Sequence, residues 1–520
     1  MTPHRDDRRS RRTGRAGSVL AALLVPVLVP VLLVTLVLSG GRDGAAAAGH
    51  AGLHYRPAPP PPAIPDSESG SFVAGLPFQD PPVLTSRNGR LTVDLTARAQ
   101  PVVVSGKKVN ARVWNGTFMP PVLRVKPGDN LRINLHNELG EPTNVHTHGF
   151  FVAMDGNSDN VFVNLSTGSS FEYNYDLPAD MEPGTYWYHP HFHPLVEEQV
   201  FGGMSGLIQV EGLTQLLPPR LRGVTQHYLA LKDLQVDREN TIPARNINSD
   251  APTTRTVNGL VQPKMTMRAG ETQLWRLSNV GADIWYHLEL EGLQFAVVGE
   301  DANPVSRVWT TKRLLMPPAK RFDVLVQATK PGTYRLMTRK MSTGPAGDTY
   351  PTALMATLDV TGAAKRPTAL PTTFGTYDDL ANDPVARTRT FTFSENTKTN
   401  QFFINGKQFT DEMVSATPIR GSVEEWVFRN TSLEEHPVHI HVNDMQLMSV
   451  NGRRYKARGW QDTIPIPHAY RDSAGRLVAG EIVVRMKFKR FAGKYVFHCH
   501  ILAHEDNGMM GVVNVTAGGT

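Results

Sequence analysis

The sequence predicts an all-β chain of three consecutive β-sandwich domains, and three observations carry that prediction. Beyond Gly70 the chain is a series of short runs rich in Val, Ile, Leu and Thr, separated by Gly, Pro, Asn and Asp, the pattern of strands joined by tight turns. A first phrase recurs three times: VLRVKPGDNLRINLHN, MTMRAGETQLWRLSN and ATPIRGSVEEWVFRN each set a glycine nine residues before an asparagine (Gly128 and Asn137, Gly270 and Asn279, Gly421 and Asn430). A second phrase follows it in each unit: PGTYWYHPH (183–191), PGTYRLMTR (331–339) and AGKYVFHCH (492–500). Either phrase alone is ordinary turn-to-strand punctuation. Both, in one order, mark a single plan used three times.

The elements follow in chain order. Residues 1–48 run from a basic head (RDDRRSRRTGR) through the apolar stretch Ser18–Ser39 to a small-residue segment. That is the layout of an export signal cleaved around Ala45–Ala48. The apolar stretch is also long enough to cross a bilayer, so membrane anchoring through residues 18–39 is the alternative. Either way the chain is expected to be exported, to the cell envelope or beyond. Residues 49–75 are a Pro-rich linker, stiffened by RPAPPPPAIP. The three domains are then expected at 76–215, 216–362 and 363–520. The net charge of +6 belongs largely to the head, because residues beyond 48 hold 47 basic and 45 acidic groups. No nucleic-acid partner is expected from that balance. The single cysteine, Cys499, excludes an internal disulfide. Four N-x-S/T sites (Asn115, Asn164, Asn430, Asn514) matter only in a host that glycosylates them.

The repeat then separates the domains by chemistry. Counting nine and eleven residues on from the shared asparagine reaches His146 and His148 in the first unit and His439 and His441 in the third. The second phrase carries His189 and His191, and His498 and His500. The middle unit has Leu288, Leu290, Met337 and Arg339 at these places. On a strand, residues i and i+2 share a face, so each His-x-His is a two-pronged claw. Four claws from the two ends of the chain fit a multinuclear metal cluster between the first and third domains.

The same alternation turns Cys499 away from the histidines on either side of it. His436, three residues before His439, also faces away from its neighbouring claw, and His504 and Met509 follow in the next loop. One thiolate, two imidazoles and a thioether form the ligand set of a blue-copper electron-transfer site. Structural zinc favours Cys-rich tetrahedral sets, and catalytic zinc uses three protein ligands. A 2-His-1-carboxylate iron site needs an acid at a claw position, and there is none. Copper is the expected metal. His193 extends HPH to HPHFH, a third same-face imidazole; His136, His227, His287 and His468 carry no motif. Pro190 and Pro437 suggest strand edges or bulges.

At HTHG, YWYHPH, HPVHIH and HCHILAHEDNGMM the sequence resembles the multicopper oxidases, in particular their three-domain, laccase-like and copper-efflux-oxidase-like group, over about residues 80–520. The resemblance implies cupredoxin-like Greek-key domains and four copper ions. His436, Cys499 and His504 would hold the type 1 ion, with Met509 axial. His146 and His439 would hold the type 2 ion. His148, His189, His191, His441, His498 and His500 would hold the type 3 pair. The family has no ligand at the place of His193, which is therefore expected either beside the centre or at the surface. It also implies dioxygen as acceptor, reduced to two waters by four one-electron oxidations. Two carboxylates resemble the family's proton-relay acids: Glu505, directly after His504, and Asp155, although Asp155 lies two residues nearer HTHG than the family spacing.

The substrate is not written in these motifs. Phenols and aromatic amines are expected first, because electron loss at an exposed imidazole edge demands little specific binding. Oxidation of Cu(I) or Fe(II) is the alternative; the 340–420 region holds only Met341, Met355 and Met413, which weakens a soft-ligand funnel for Cu(I). A non-catalytic copper-binding envelope protein is a third possibility.

Overall fold

The protein is described by a computed structural model covering residues 70–243 and 251–518. The export segment or anchor of residues 1–48 and the linker as far as residue 69 lie outside the described residues. Among the described residues no helix is long and apolar enough to cross a membrane.

Each third of the chain forms two sheets around a shared apolar core. In the first, a four-stranded sheet (Lys107–Trp114, Arg90–Val104, Asn130–Asn137, Ser170–Asp176) is joined to a five-stranded one (Val83–Thr85, Val122–Val125, Gly206–Val210, Gly184–His189, His146–His148). The second and third sandwiches each combine a six-stranded and a five-stranded sheet. A parallel pair recurs in all three: Arg90 opposite Asn130, Thr225 opposite Gln273, Arg387 opposite Glu424. Parallel neighbours need a crossover, here through the other sheet, which gives the Greek-key sandwich of the cupredoxin fold.

The repeated phrase has a structural reason. Gly128, Gly270 and Gly421 all have positive φ (84°, 83° and 89°), a conformation that penalises a Cβ. The asparagine nine residues on ends a strand in every sandwich. Its amide then ties down the loop beyond, Asn137 to the carbonyls of Glu141 and Leu165, Asn279 to those of Ile284 and Met316, and Asn430 to that of Glu434.

Burial patterns separate the two kinds of strand. Asn130–Asn137 and Gly480–Lys487 alternate buried and half-buried positions, with one face on the core. The histidine-bearing strands His146–His148, Gly184–His189 and His436–Ile440 are buried at every position. Such strands are covered on both faces.

Two expectations need correction. Pro437 is not at an edge: its strand lies between Gly493–Cys499 and Thr463–Ile466. It is tolerated because it faces Pro465 across the pair, and its carbonyl still accepts from His500 N at 2.7 Å. The middle sandwich is also not in register with the outer two. Leu288 stands opposite Thr338, whereas His146 faces His189 and His439 faces His498. An irregularity between Leu336 and Met337 accompanies the offset.

Candidate metal centre

Strand pairing sets the claws side by side. His146 lies opposite His189 in the first sandwich and His439 opposite His498 in the third. The two sandwiches then present these surfaces to each other. The rings of His146 and His441 stack at 3.9 Å and those of His148 and His439 at 3.8 Å. His191 Nε2 lies 3.2 Å from His498 Nε2, which is 3.3 Å from His441 Nε2. Among the described residues, three groups made of these histidines alone have ligand atoms mutually within 4.8 Å: His146, His439 and His441; His146, His148 and His189; and His191, His441 and His498; a fourth joins His148 and His439 to Asp462. All eight imidazoles are buried.

The ring nitrogens divide their work. Four Nδ1 atoms are held by the protein: His146 by Asp159 Oδ2 at 2.9 Å, His189 by the Pro190 carbonyl at 2.8 Å, His439 by the Asp462 carbonyl at 2.8 Å, and His498 by the Cys499 carbonyl at 3.0 Å. The Nε2 atoms of His146, His189, His439 and His500 and the Nδ1 atoms of His148, His441 and His500 are buried without a hydrogen-bond partner among the described residues. An unpaired buried polar atom costs about 1–3 kcal/mol, and seven such nitrogens in one cluster fit a set of metal ions. Burial pushes His146, His148, His189, His191, His439, His441 and His500 down, and the neighbouring histidines add to it; His189 falls to about 3 and His191 to about 4. The neutral ring is the form that binds metal.

Cys499 belongs to a separate group. Its Sγ is 3.6 Å from His436 Nδ1 and 3.7 Å from His504 Nδ1, and the two nitrogens are 3.2 Å apart. A triangle of that size surrounds a first-row metal ion at bond lengths of about 2.0–2.3 Å. The loop closes on itself: Cys499 N donates to the Met509 carbonyl at 3.1 Å and Met509 N to the His504 carbonyl at 2.9 Å. Met509 is fully buried beside Cys499 in the third core. The short helix Leu502–Asp506 sends consecutive side chains to different places. His504 turns to Cys499, and Glu505 turns to the claws. Glu505 Oε2 stands 2.8 Å from His498 Nδ1, and Oε1 stands 3.4 Å from His191 Nε2. Burial pushes this carboxyl up, but the histidines around it hold it down at about 2.

Asp155 is elsewhere. It sits in an exposed turn, and the buried acid of that loop is Asp159, whose Oδ1 accepts from Thr147 N at 2.8 Å while Oδ2 meets His146. The shortened spacing from HTHG was the signal that Asp155 was the wrong aspartate. His193 is half-buried outside the claws, edge-on to Phe409, with Nδ1 3.7 Å from Asp506. Sequence reading missed Asp462, whose carboxylate reaches His148 Nε2 at 3.4 Å, and two acids at the Cys499 group. Glu395 Oε2 lies 3.6 Å from His436 Nε2 and Glu434 Oε2 3.8 Å from His504 Nε2. Burial pushes Glu395 up to about 7 and, with Asp348 and Glu395 adding repulsion, Glu434 up to about 8. None of these residues falls within a local motif.

A chain with this fold and these two ligand groups belongs to the multicopper oxidase family. Three profiles described as multicopper oxidase match residues 96–215, 223–362 and 382–519. The chain is 27% identical over 422 residues to the multicopper oxidase mco of Staphylococcus aureus (79% of this chain, 85% of that one). It is 25% identical over 480 residues to a laccase of Bacillus subtilis (78% and 90%), and 26% over 456 residues to the cell division protein FtsP of Photorhabdus laumondii (83% and 90%). Among solved structures, a multicopper oxidase from Campylobacter jejuni described as a metallo-oxidase superposes with a TM-score of 0.74 at 25% identity, covering 88% of this chain and 98% of that one.

Proposed function

We propose that this chain is an oxidase that takes single electrons at the Cys499 group and delivers them to dioxygen at the eight-histidine centre. The observation that carries the reading is the unbroken run His498–Cys499–His500: the Cys499 sulfur meets His436 and His504, His498 groups with His191 and His441, and the His500 ring lies 5.1 Å from that of His148 and 5.6 Å from that of His189. In this reading His436, Cys499, His504 and Met509 hold the type 1 copper. His146 and His439 hold the type 2 copper, and His148, His189, His191, His441, His498 and His500 hold the type 3 pair, within sandwiches bounded at 76–215, 216–362 and 363–520. When bound, the four coppers supply one-electron acceptance at the first group and four-electron reduction of dioxygen to two waters at the second. Asp159 and the backbone carbonyls orient the imidazoles. Glu505 holds a carboxylate between His191 and His498, where protons for the two waters are needed.

The acids at the outer edges of His436 and His504 favour a cationic donor. Phenols were the first expectation from sequence, yet Glu395 and Glu434 flank the edges through which a donor electron would enter. With both groups pushed up by burial, a metal cation arriving there displaces a proton to gain a carboxylate partner, an advantage that a neutral phenol lacks. Fe(II) and Cu(I) are therefore the preferred substrates, with aromatic amines and phenols as slower ones. The envelope or extracellular location remains part of this reading. Oxygen consumption by the copper-loaded chain, measured side by side on Fe(II), Cu(I), an aromatic amine and a phenol, tests it. Glu395→Gln and Glu434→Gln are each expected to lower kcat/KM for the metal ions by about tenfold and to spare the phenol. No oxygen uptake on any of the four would leave a non-catalytic copper protein as the answer.

A further inference from the structure

We propose that Arg321, from the middle sandwich that lacks the claws, is a positioning residue for the eight-histidine centre, acting on His148 and His439 through Asp462. The inference rests on reading those histidines as a copper centre.

Arg321 is fully buried and grips Asp462 with both prongs, Nη1 to Oδ1 and Nη2 to Oδ2, each at 2.7 Å. Its Nε donates to the Thr185 carbonyl of the first sandwich at 3.1 Å. One guanidinium therefore reaches from the second sandwich into both of the others. Asp462 passes this placement on. Its carbonyl accepts from His439 Nδ1 at 2.8 Å, leaving Nε2 for the centre, and its Oδ1 stands 3.4 Å from His148 Nε2. The residues on either side of Asp462 are clamped from the same source. Lys320 Nζ donates to Gln461 Oε1 at 2.9 Å and to the Thr463 carbonyl at 3.1 Å, and is itself paired with Asp301 at 2.8 Å.

The chain around the pair is cut to fit it. Gly149, which closes HTHG, has a φ of 85°, and a Cβ there would stand 2.8 Å from both Arg321 Nη2 and Asp462 Oδ2. A buried ion pair adds little stability over apolar residues of the same size. Its place against two of the eight imidazoles, with a glycine making room for it, points to orientation of those rings. Partners of this kind carry about 10–100-fold in metal affinity.

The test uses the full chain with Arg321→Met, Arg321→Lys and Asp462→Asn, each loaded with cupric ion. Three quantities are read from one sample: copper per chain, the type 2 electron-paramagnetic signal, and the visible absorption of the Cys499 group. The Met and Asn variants are expected to keep the visible absorption while binding copper at the eight-histidine centre about 10–100-fold more weakly, with a changed type 2 signal. Arg321→Lys should recover part of the loss, since it keeps the charge but not the fork. Parallel loss of both centres would mean that Arg321 merely holds up the fold, and would overturn the proposal. So would an unchanged type 2 signal and copper content. If Arg321→Met does not accumulate, Asp462→Asn, of nearly equal volume, carries the same comparison. A wild-type chain that binds copper at Cys499 but none at the eight histidines would instead sink the underlying reading.

Discussion

Cys499 has a histidine on each side in the sequence, yet its sulfur meets neither of their rings. Alternation along Gly493–Cys499 places its sulfur with His436 and His504, while His498 and His500 turn to the claws. Two backbone steps therefore join two metal groups. Cys499→Ser keeps nearly the same volume and removes the thiolate, so the visible absorption and all turnover with reducing substrates are expected to vanish while circular dichroism stays that of the wild type. Retained colour would place the thiolate elsewhere. Glu505→Gln tests the other direction of the loop. The carboxylate is buried against His498 and His191, on the side of the claws, so turnover should fall about 10–100-fold with the visible absorption kept. At this scale the histidines and the cysteine were legible because parity along a strand is local. Asp159, Asp462, Arg321 and Glu395 were not, because each reaches its histidine from a separate loop, another strand or another sandwich, and nothing in the spacing of the claws announces them. Asp155 shows the reverse error: an acid in a familiar phrase that the fold leaves in solvent.

The strands themselves were legible as a repeat because each copy needs the same positive-φ glycine and the same strand-ending asparagine. What escaped was the register of the middle copy, since a one-residue offset leaves no mark on composition. A buried amine also escaped. Lys232, on the strand Thr225–Leu234, donates to the carbonyls of Phe118, Gly203 and Ser205 at 2.7, 3.0 and 2.8 Å, and so ties the second sandwich to a turn of the first. Burial pushes its ammonium down from 10.5 to about 7. Between those two values the unfolded chain binds a proton that the folded chain has released, so stability rises with pH across that window. Lys232→Met strands three carbonyls and should cost on the order of 2–4 kcal/mol. The gap in Tm between wild type and variant is expected to widen from pH 7 to pH 9. A constant gap would mean that the three carbonyls keep the amine charged.

Across the whole molecule the two metal groups differ in what they join. His436, Cys499, His504 and Met509 all come from the third sandwich, so a metal ion held there would stiffen one domain. The eight histidines come in equal numbers from the first and third sandwiches, and their rings stack across the boundary between the two, beside metal-free contacts such as Phe151 on Phe491 and Arg490 with Asp180. Binding energy at that centre therefore adds to docking energy. Copper at about 1,000 times its Kd adds roughly 4 kcal/mol, drawn from a surface whose unpaired imidazole nitrogens otherwise weaken it. Removing all copper with a chelator should lower Tm and speed backbone hydrogen exchange in His146–His148 and His436–Ile440 together, although these strands belong to different domains. Copper-loaded Cys499→Ser, with the eight-histidine centre still filled, should keep those strands protected. Exchange that rises in the third sandwich alone after chelation would show that packing, not metal, holds the domains together. The centre would then be seated in an interface that forms without it.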